Sequence, residues 1–232
     1  MPLKAEIHCH VKIIGSLPFR PSQLERRLRR ARGLGLDVLT LTEHIEVADY
    51  WDIYDCLESL CEKASGVLRW QGVTVMTGAE ITLNSGQDIL MLGSLDNIRE
   101  LHRRLGRPRN ADPPGFARLM DASDDLDLLR VGAHPCRRGK VLWGIGSPLK
   151  RLDALEVNAN ELSKAAYVQS QSESLGLPVL AGSDAHHWLQ IGRVYNLLPT
   201  DQSFTIPELR QSLLQRKVSW QKGGLTRSRL IP

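Results

Sequence analysis

The segment Glu6-Ile7-His8-Cys9-His10 governs how the rest of the chain is interpreted. It lies in a mostly apolar run from Ala5 to Val11, which predicts a strand. Side chains two residues apart in a strand point to the same face, so His8 and His10 would present both imidazoles on one side of a sheet. Two neighbouring imidazoles can bind one metal ion, although such pairs also occur on ordinary solvated strands.

Four later segments also carry polar residues where a short predicted strand ends. They are Thr42-Glu43-His44, Gly78-Ala79-Glu80, Ala133-His134-Pro135 and Gly182-Ser183-Asp184-Ala185-His186. Together with the first segment, they place five of the seven histidines at strand ends. Structural histidines would be scattered along the chain. The pattern therefore predicts a metal centre, whose candidate ligands are His8, His10, His44, Glu80, His134, Asp184 and His186.

The order of the predicted elements is typical of an α/β barrel. We predict strands over residues 5–11, 38–42, 73–79, 89–92, 129–133, 154–157, 179–181 and 194–198. We predict helices over residues 22–32, 57–64, 96–105, 115–121, 161–175 and 207–215. The alternation of strands and helices favours a parallel sheet, and about seven strands favour its closure into a TIM-like barrel. An open doubly wound sheet is the alternative.

The length of the chain agrees with one such barrel. A single α/β barrel needs about as many residues as the 232 present, and no clear domain boundary interrupts them. We therefore predict one domain over residues 1–232, with a loosely held tail after about Ser219. The stretch from Arg107 to Pro114 is expected to form part of the rim of the site.

The charge is mildly basic, with a formal net charge of +4 and a pI near 9.0. Much of the excess lies in the predicted helix over residues 22–32, where the inward face carries Leu24, Leu28 and Ala31. The arginines of this helix are expected to point outward: Arg26, Arg27, Arg29, Arg30 and Arg32. A basic face is compatible with an anionic partner, but it is also typical of a solvated helix.

The cysteines and the apolar runs indicate a cytoplasmic protein. The 4 cysteines form no C-x-x-C pair, and the first residues lack the pattern of a secretion signal. No apolar run approaches the roughly 20 residues of a membrane span. We therefore expect reduced thiols and no membrane partner.

In their order along the chain, the five segments resemble the polymerase and histidinol phosphatase (PHP) family of metallohydrolases. The resemblance extends from His8 to about Gly192, and the segment from Gly182 to His186 is its most specific part. It implies a distorted (β/α)7 TIM-like barrel that hydrolyses phosphoesters with two or three ions of zinc, manganese or iron. An α/β fold of this type agrees with the element order above.

The resemblance also implies roles for the candidate ligands. One ion would be held by His8, His10, Glu80 and Asp184. A second would share Glu80 and be held by His134, and a third would be held by His44 and His186. A carboxylate has two oxygens and can bridge two ions, which together can activate a water. Catalysis would then depend most directly on Glu80, Asp184 and His186.

This chain departs from the family pattern at several positions. Many members have Asp where this chain has Glu6 and Glu43, and they carry extra histidines in two loops. The second and third metal positions are consequently short of ligands, and either Asp88 or Cys136 could fill a gap. Two further histidines are expected outside the centre: His102 in a helix and His187 beside His186.

Two arginines follow the His134-Pro135-Cys136 turn. Arg137 or Arg138 could hold two phosphate oxygens through its forked guanidinium, although a solvent-facing pair is equally consistent with the sequence. The candidate substrates are a phosphorylated small molecule, a nucleotide or a nucleic-acid end.

Two other functions remain open from the sequence. Amidohydrolase barrels, which cleave C–N bonds, also begin with His-x-His, but they commonly bridge their ions with a modified lysine where this chain has Glu80. A non-catalytic metal-binding barrel that acts as a binding module is the third hypothesis. Seven convergent ligands argue against it, because a binding module does not need them.

Overall fold

The computed structural model describes residues 1–64, 67–106, 112–199 and 205–224. In these ranges, one sheet contains the strands β1 (Leu3–Cys9), β2 (Val38–Leu41), β3 (Glu62–Ala64), β4 (Val67–Trp70), β5 (Val73–Thr82), β6 (Asp88–Gly93), β7 (Leu128–Gly132), β8 (Ala154–Asn158), β9 (Val179–Gly182), β10 (Val194–Leu198) and β11 (Ser219–Lys222). The α-helices are α1 (Pro21–Gly33), α2 (Tyr50–Leu60), α3 (Leu95–Arg104), α4 (Phe116–Ser123), α5 (Ala165–Leu175) and α6 (Ile206–Leu214). Short 3-10 helices occupy Leu142–Ile145, Ser147–Arg151, Ala159–Lys164 and Trp188–Gln190.

The main path of the sheet runs β11-β10-β1-β2-β5-β6-β7-β8-β9. The predicted α/β barrel is confirmed, but the expectation of an all-parallel sheet is wrong. Strand β6 pairs antiparallel with both β5 and β7, and β10 pairs antiparallel with β1. The turn between β5 and β6 is closed by the Leu83 N–H, which donates to the Gln87 carbonyl at 2.7 Å. A link this short allows a hairpin but not the crossover that parallel neighbours need.

The two ends of the sheet approach each other and nearly close the barrel. The His10 N–H donates to the Ala185 carbonyl at 3.0 Å, and the Ala185 N–H donates to the His8 carbonyl at 3.3 Å. The side-chain amide of Asn196, on β10, also bonds the main chain of Ala181 and of Ala5. The contact between the β1 and β9 segments is therefore held by main-chain hydrogen bonds and by the side chain of Asn196.

Side chains along each strand point alternately to the two faces of the sheet, and each face packs against its own apolar cluster. Met76, Leu90 and Leu92 belong to a buried cluster on one face of the sheet, to which α6 adds Ile206, Leu209 and Leu213. Their neighbours in the strands face the layer that the other helices cover. Glu80 lies four residues from Met76 on β5, and Asp88 lies two residues from Leu90 on β6, so both point to the same face of the sheet as that cluster.

Two predicted elements differ from those observed. The helix predicted over residues 57–64 is instead α2, which ends at Leu60, and Glu62–Ala64 then pairs with β4. The hydroxyls of Tyr50 and Tyr54 donate to the Gly78 carbonyl and anchor α2 earlier in the chain.

The segment after about Ser219 was predicted to be loosely held, and its first residues differ from that prediction. Ser219–Lys222 is not loose but forms β11, which pairs antiparallel with β10. Residues 225–232 lie outside the described ranges, as do residues 107–111 of the predicted rim. Among the described helices, none is both long and apolar enough to cross a membrane.

Candidate metal centre

The predicted ligands meet at the mouth of the barrel, at the ends of β1, β2, β5, β7 and β9. Their donor atoms fall into three overlapping groups, within each of which the atoms lie no more than 4.8 Å apart. We call them the first group (His8, His10, Glu80, Asp184), the second group (Glu80, Asp88, His134) and the third group (His10, His44, His186). All seven residues predicted as ligands take part, and Asp88 joins them.

The first group has the spacing of a metal coordination shell. The Nε2 atoms of His8 and His10 are 3.1 Å apart. Glu80 Oε2 lies 3.5 Å and 3.1 Å from them, and Asp184 Oδ1 lies 3.5 Å and 3.4 Å from them. A tetrahedral ion with bonds of about 2.1 Å separates its ligand atoms by about 3.4 Å. The spacing of these donor atoms is therefore compatible with four ligands around one divalent ion.

One oxygen of the Asp184 carboxylate gives independent support for an ion site. Its Oδ1 is buried and accepts no hydrogen bond from the described residues, whereas Arg137 and Asn160 donate to Oδ2. A buried carboxylate oxygen normally has a partner, because its desolvation is costly. The oxygen that faces His8 and His10 is thus available to an ion.

Glu80 stands between the groups and directs its two oxygens to different histidines. Oε2 faces His8, His10 and also His44, whose Nε2 is 3.3 Å away. Oε1 lies 2.9 Å from His134 Nε2, in the second group. This arrangement is the one that a bridging carboxylate requires, with one oxygen for each of two ions.

The second group obtains its third donor from the β5–β6 hairpin. Asp88 begins β6, is completely buried, and places Oδ2 3.4 Å from His134 Nε2. Because β6 runs antiparallel to β5, its first residue lies at the same mouth as Glu80. Cys136 belongs to none of the three groups, and burial raises the pKa of its thiol, which disfavours the thiolate that binds metals.

The third group is the least complete. The rings of His10 and His186 stack with their centroids 4.0 Å apart, and the centroids of His10 and His44 are 4.8 Å apart. The Nε2 of His10 already faces Glu80 and Asp184. His44 and His186 are therefore the two side chains left for a separate ion.

The electrostatics of the centre favour cations. Burial would lower the pKa of His8, but the charges of Glu156, Glu80 and Asp184 outweigh it and raise that pKa well above 6.5. For Asp184 and Glu80, burial would raise the pKa, but the neighbouring histidines lower both values. The buried carboxylates thus remain charged and attract either protons on the imidazoles or metal ions.

Two glutamates contact candidate ligand histidines and were not assigned this role from the sequence. Glu156, on β8, accepts from His8 Nδ1 at 2.8 Å and from the His134 N–H at 2.6 Å. Glu43 lies 3.3 Å from His10 Nδ1 and accepts from the main chain of Val11 and Lys12. Carboxylates behind ligand histidines set the tautomer and the direction of the ring. The sequence signal for Glu156 is a charged residue within the buried run Ala154–Asn158.

Gly182 makes room for this support. A Cβ atom at Gly182 would lie 2.0 Å from Glu156 Oε1 and 2.6 Å from His8 Cβ. Any larger residue would push the carboxylate away from His8. This steric need accounts for glycine at the start of the Gly182–His186 segment.

Arg27 departs from the expectation that the arginines of its helix point outward. It is 2% exposed, and its guanidinium donates to the carbonyls of His10, His186 and Gln23. The arginine therefore ties the helix to two of the three segments that carry the third group, those of His10 and His186. Arg26 and Arg29 are exposed as predicted.

The backbone is strained at two of the candidate ligands. His134 has φ of 27° and Asp184 has φ of 48°, a region that side chains other than glycine rarely adopt. Such residues are held in place by the surrounding contacts and concentrate at functional sites. Both residues lie two positions after the end of a strand, β7 for His134 and β9 for Asp184, where the chain turns at the mouth.

The structure separates the two candidate phosphate-binding arginines. The Arg137 guanidinium enters the mouth and contacts Asp184, whereas Arg138 is exposed. Glu6 lies outside the three groups, where it accepts the N–H groups of His8, Ser183 and Gly192.

The remaining histidines lie away from the donor groups. His102 lies on α3, beside the ring of Trp51, and His187 caps the 3-10 helix Trp188–Gln190.

Comparison with solved structures shows that several known proteins share this barrel fold. It is similar to PsfC from Pseudomonas syringae PB-5123, with a TM-score of 0.77 and 24% identity over 96% of this chain and 92% of that chain. It is also similar to the lesion-specific endonuclease PfuEndoQ from Pyrococcus furiosus, with a TM-score of 0.72 and 20% identity. That match covers 93% of this chain but 56% of the endonuclease.

Two further structures extend the comparison. Endonuclease Q in complex with a 27-mer duplex, which has an abasic lesion at the active site, matches with a TM-score of 0.72 and 18% identity over 92% of this chain and 56% of that chain. A protein from Bifidobacterium adolescentis ATCC 15703, assigned as a metal-dependent phosphoesterase, matches with a TM-score of 0.54 and 16% identity over 93% of this chain and 98% of that chain.

The sequence itself provides one family match. No curated protein matches the chain. A family model described as PHP-associated, PHP_C, matches residues 167–218. This segment, together with the barrel that the chain shares with those structures, confirms its resemblance to the PHP family.

Proposed function

We propose that this protein is a metal-dependent phosphoesterase. The observation that carries the proposal is the position of Glu80, with one oxygen facing the histidines of the first group and the other facing His134. Bound divalent ions would supply an activated water at neutral pH and would neutralise the charge of a phosphoester. We assign zinc, manganese or iron as candidates, because imidazole and carboxylate ligands suit all three.

Each group of residues has a separate role in the proposed function. His8, His10, Glu80 and Asp184 would hold the first ion, and Glu156 and Glu43 orient the two histidines from behind. Glu80, Asp88 and His134 form a second position, while His44 and His186 can complete a third. Arg137 lies at the edge of the first group and can bind a phosphate oxygen.

The substrate is proposed as a class. A phosphorylated small molecule, a nucleotide and a nucleic-acid end all present a phosphoester that the centre could engage. The DNA duplex bound to endonuclease Q supports the inclusion of nucleic acid, since that protein shares this barrel. No contact among the described residues favours C–N bond hydrolysis, and the bridging position holds Glu80.

A substrate panel tests this function. The metal-stripped protein would be loaded separately with Zn²⁺, Mn²⁺ or Fe²⁺ and assayed on phosphomonoesters, phosphodiesters, nucleotides, DNA and cyclic amides. We expect hydrolysis of at least one phosphoester that a chelator abolishes and added metal restores. Cleavage of a cyclic amide alone would reassign the protein to the amidohydrolases. Less than about one ion per chain without any activity would favour a binding module.

A further inference from the structure

Lys140 makes an unexpected contact with the second group. Its ammonium lies 2.5 Å from Asp88 Oδ2, the same oxygen that faces His134 Nε2 at 3.4 Å. The other carboxylate oxygen of Asp88 accepts the Thr82 hydroxyl at 2.7 Å. Both oxygens of this buried aspartate are therefore engaged by other side chains.

The loop that follows His134 holds Lys140 in this position. The Arg137 N–H donates to the His134 carbonyl at 2.9 Å, and the Lys140 N–H donates to the Arg137 carbonyl at 2.8 Å. Just beyond, the side chain of Gln87 donates to the Val141 carbonyl at 3.1 Å, which attaches the loop to the β5–β6 hairpin. Two consecutive turns and the hydrogen bond from Gln87 hold the backbone of Lys140 close to Asp88.

The first group is arranged differently. Asp184 also has a cationic neighbour, Arg137, but the guanidinium uses Oδ2 and leaves Oδ1 without a hydrogen bond from the described residues. An ion can therefore bind Asp184 without displacing Arg137. An ion that binds Asp88 at the oxygen facing His134 must displace the ammonium of Lys140.

We propose that Lys140 is the resident cation of the second group and competes with a metal ion for Asp88. The inference rests on the proposed metal centre and concerns the order in which its positions fill. An ammonium and a divalent ion on one carboxylate oxygen repel each other, so metal binding requires Lys140 to move towards solvent. Its side chain is 34% exposed, which permits that movement. The first group should consequently fill at lower metal concentration than the second.

Metal titration of the full chain, without substrate, tests this competition. The protein would be stripped with a chelator, and Mn²⁺ binding would be followed by calorimetry and by elemental analysis. We expect the wild type to bind one ion tightly and a second at least about tenfold more weakly. Lys140→Met should strengthen the second binding step by about tenfold or more, because the competing charge is gone.

Two matched variants make the result specific. Arg138→Met removes the same charge from the same loop, but the Arg138 side chain is exposed, so the second binding step of this variant should equal that of the wild type. Adding Asp88→Asn to Lys140→Met should abolish the gain. Lys140→Gln, which keeps a polar end, provides a second test if the methionine variant does not fold.

Two results would overturn the inference while the metal centre stands. In one, the Lys140 variants bind their second ion as weakly as the wild type does. In the other, Arg138→Met strengthens the second step as much as Lys140→Met, which would indicate a general charge effect. If the wild type and all the variants bind no ion, the proposed function fails as well.

Discussion

At the scale of single residues, the direction of each side-chain atom decides its chemistry. Glu80 is 1% exposed and contacts histidines on both sides, so its charge is shared by two groups of donors. Glutamine has the same size but is neutral, and an amide is a poor bridge between two cations. The role of Glu80 can therefore be tested with little change in shape.

We expect Glu80→Gln to release at least one ion per chain and to reduce turnover by several orders of magnitude. The fold should persist, because a chain of this length has a core that does not depend on the metals. Metal content by elemental analysis and the circular dichroism spectrum check both points. His102→Ala is the control, since His102 lies on α3 beside Trp51. Wild-type metal content and rate in Glu80→Gln would exclude a bridging role.

Arg137 and Arg138 form a natural pair for a second test. Arg137→Ala should lower kcat/KM for a phosphoester by about tenfold to a hundredfold, since one charge-assisted contact contributes roughly 1.5–3 kcal/mol. Arg138→Ala should leave kcat/KM unchanged, because its side chain is exposed. Metal content would be measured in both variants, to separate phosphate binding from an effect through Asp184. Equal kinetics in the two variants would place Arg137 outside substrate binding.

At the scale of elements, helix α1 supports the mouth of the barrel through one buried side chain. Arg27 donates to the carbonyls of His10 and His186, which belong to strand ends far apart in sequence. Burial lowers the pKa of Arg27, but carbonyl acceptors satisfy its guanidinium. The helix thus contributes to the geometry of the ligands although it carries none of them.

Arg27→Met should destabilise the protein and weaken metal binding together. Loss of the guanidinium leaves buried carbonyls unsatisfied, so we expect the free energy of unfolding to fall by about 2–4 kcal/mol. For a chain of this size, that corresponds to a decrease in Tm of roughly 5–15 °C. Thermal unfolding and metal titration provide the measurements, with Arg26→Met as the exposed control on the same helix. If Arg27→Met matched Arg26→Met in both assays, Arg27 would have no positioning role.

At the scale of the whole molecule, the barrel concentrates carboxylates and imidazoles in one buried mouth. Without metal, the raised pKa values of His8 and His10 mean that protonated imidazoles pair with the carboxylates. This stabilisation is complete below the ordinary histidine pKa of about 6.5 and is lost as pH rises through the raised values. A metal ion bound at the proposed centre would take the place of these protons, so its affinity should increase with pH.

Acidification should therefore release the ions before the protein unfolds. We expect metal content to fall as pH drops below about 6, because protons compete for the imidazoles. Circular dichroism should still report a folded barrel at the pH where half of the metal is lost. Elemental analysis after dialysis at stepped pH values gives the first curve and far-ultraviolet spectra the second. Ions that stay fully bound near pH 4 would exclude histidine ligation.

Local sequence patterns were enough to locate the strand ends that carry the candidate ligands. His8 lies within a mostly apolar predicted strand, and Glu80 and Asp184 follow short apolar runs. Local alternation is enough to predict that such residues reach one edge of a sheet. The element order was sufficient for the α/β barrel. Short-range patterns do not specify strand pairing, however, so the antiparallel position of β6 was not predicted.

Contacts between distant segments determine which side chains surround the candidate ligands. Glu156 lies 148 positions from His8 in the chain, and Arg27 lies 159 positions from His186, yet both pairs are hydrogen-bonded. Lys140 reaches Asp88 through a loop, and Arg137 rather than Arg138 enters the mouth. Such contacts depend on closure of the barrel and on loop geometry. Neither leaves a periodic signal in the sequence, because both arise from packing between segments that are distant along the chain.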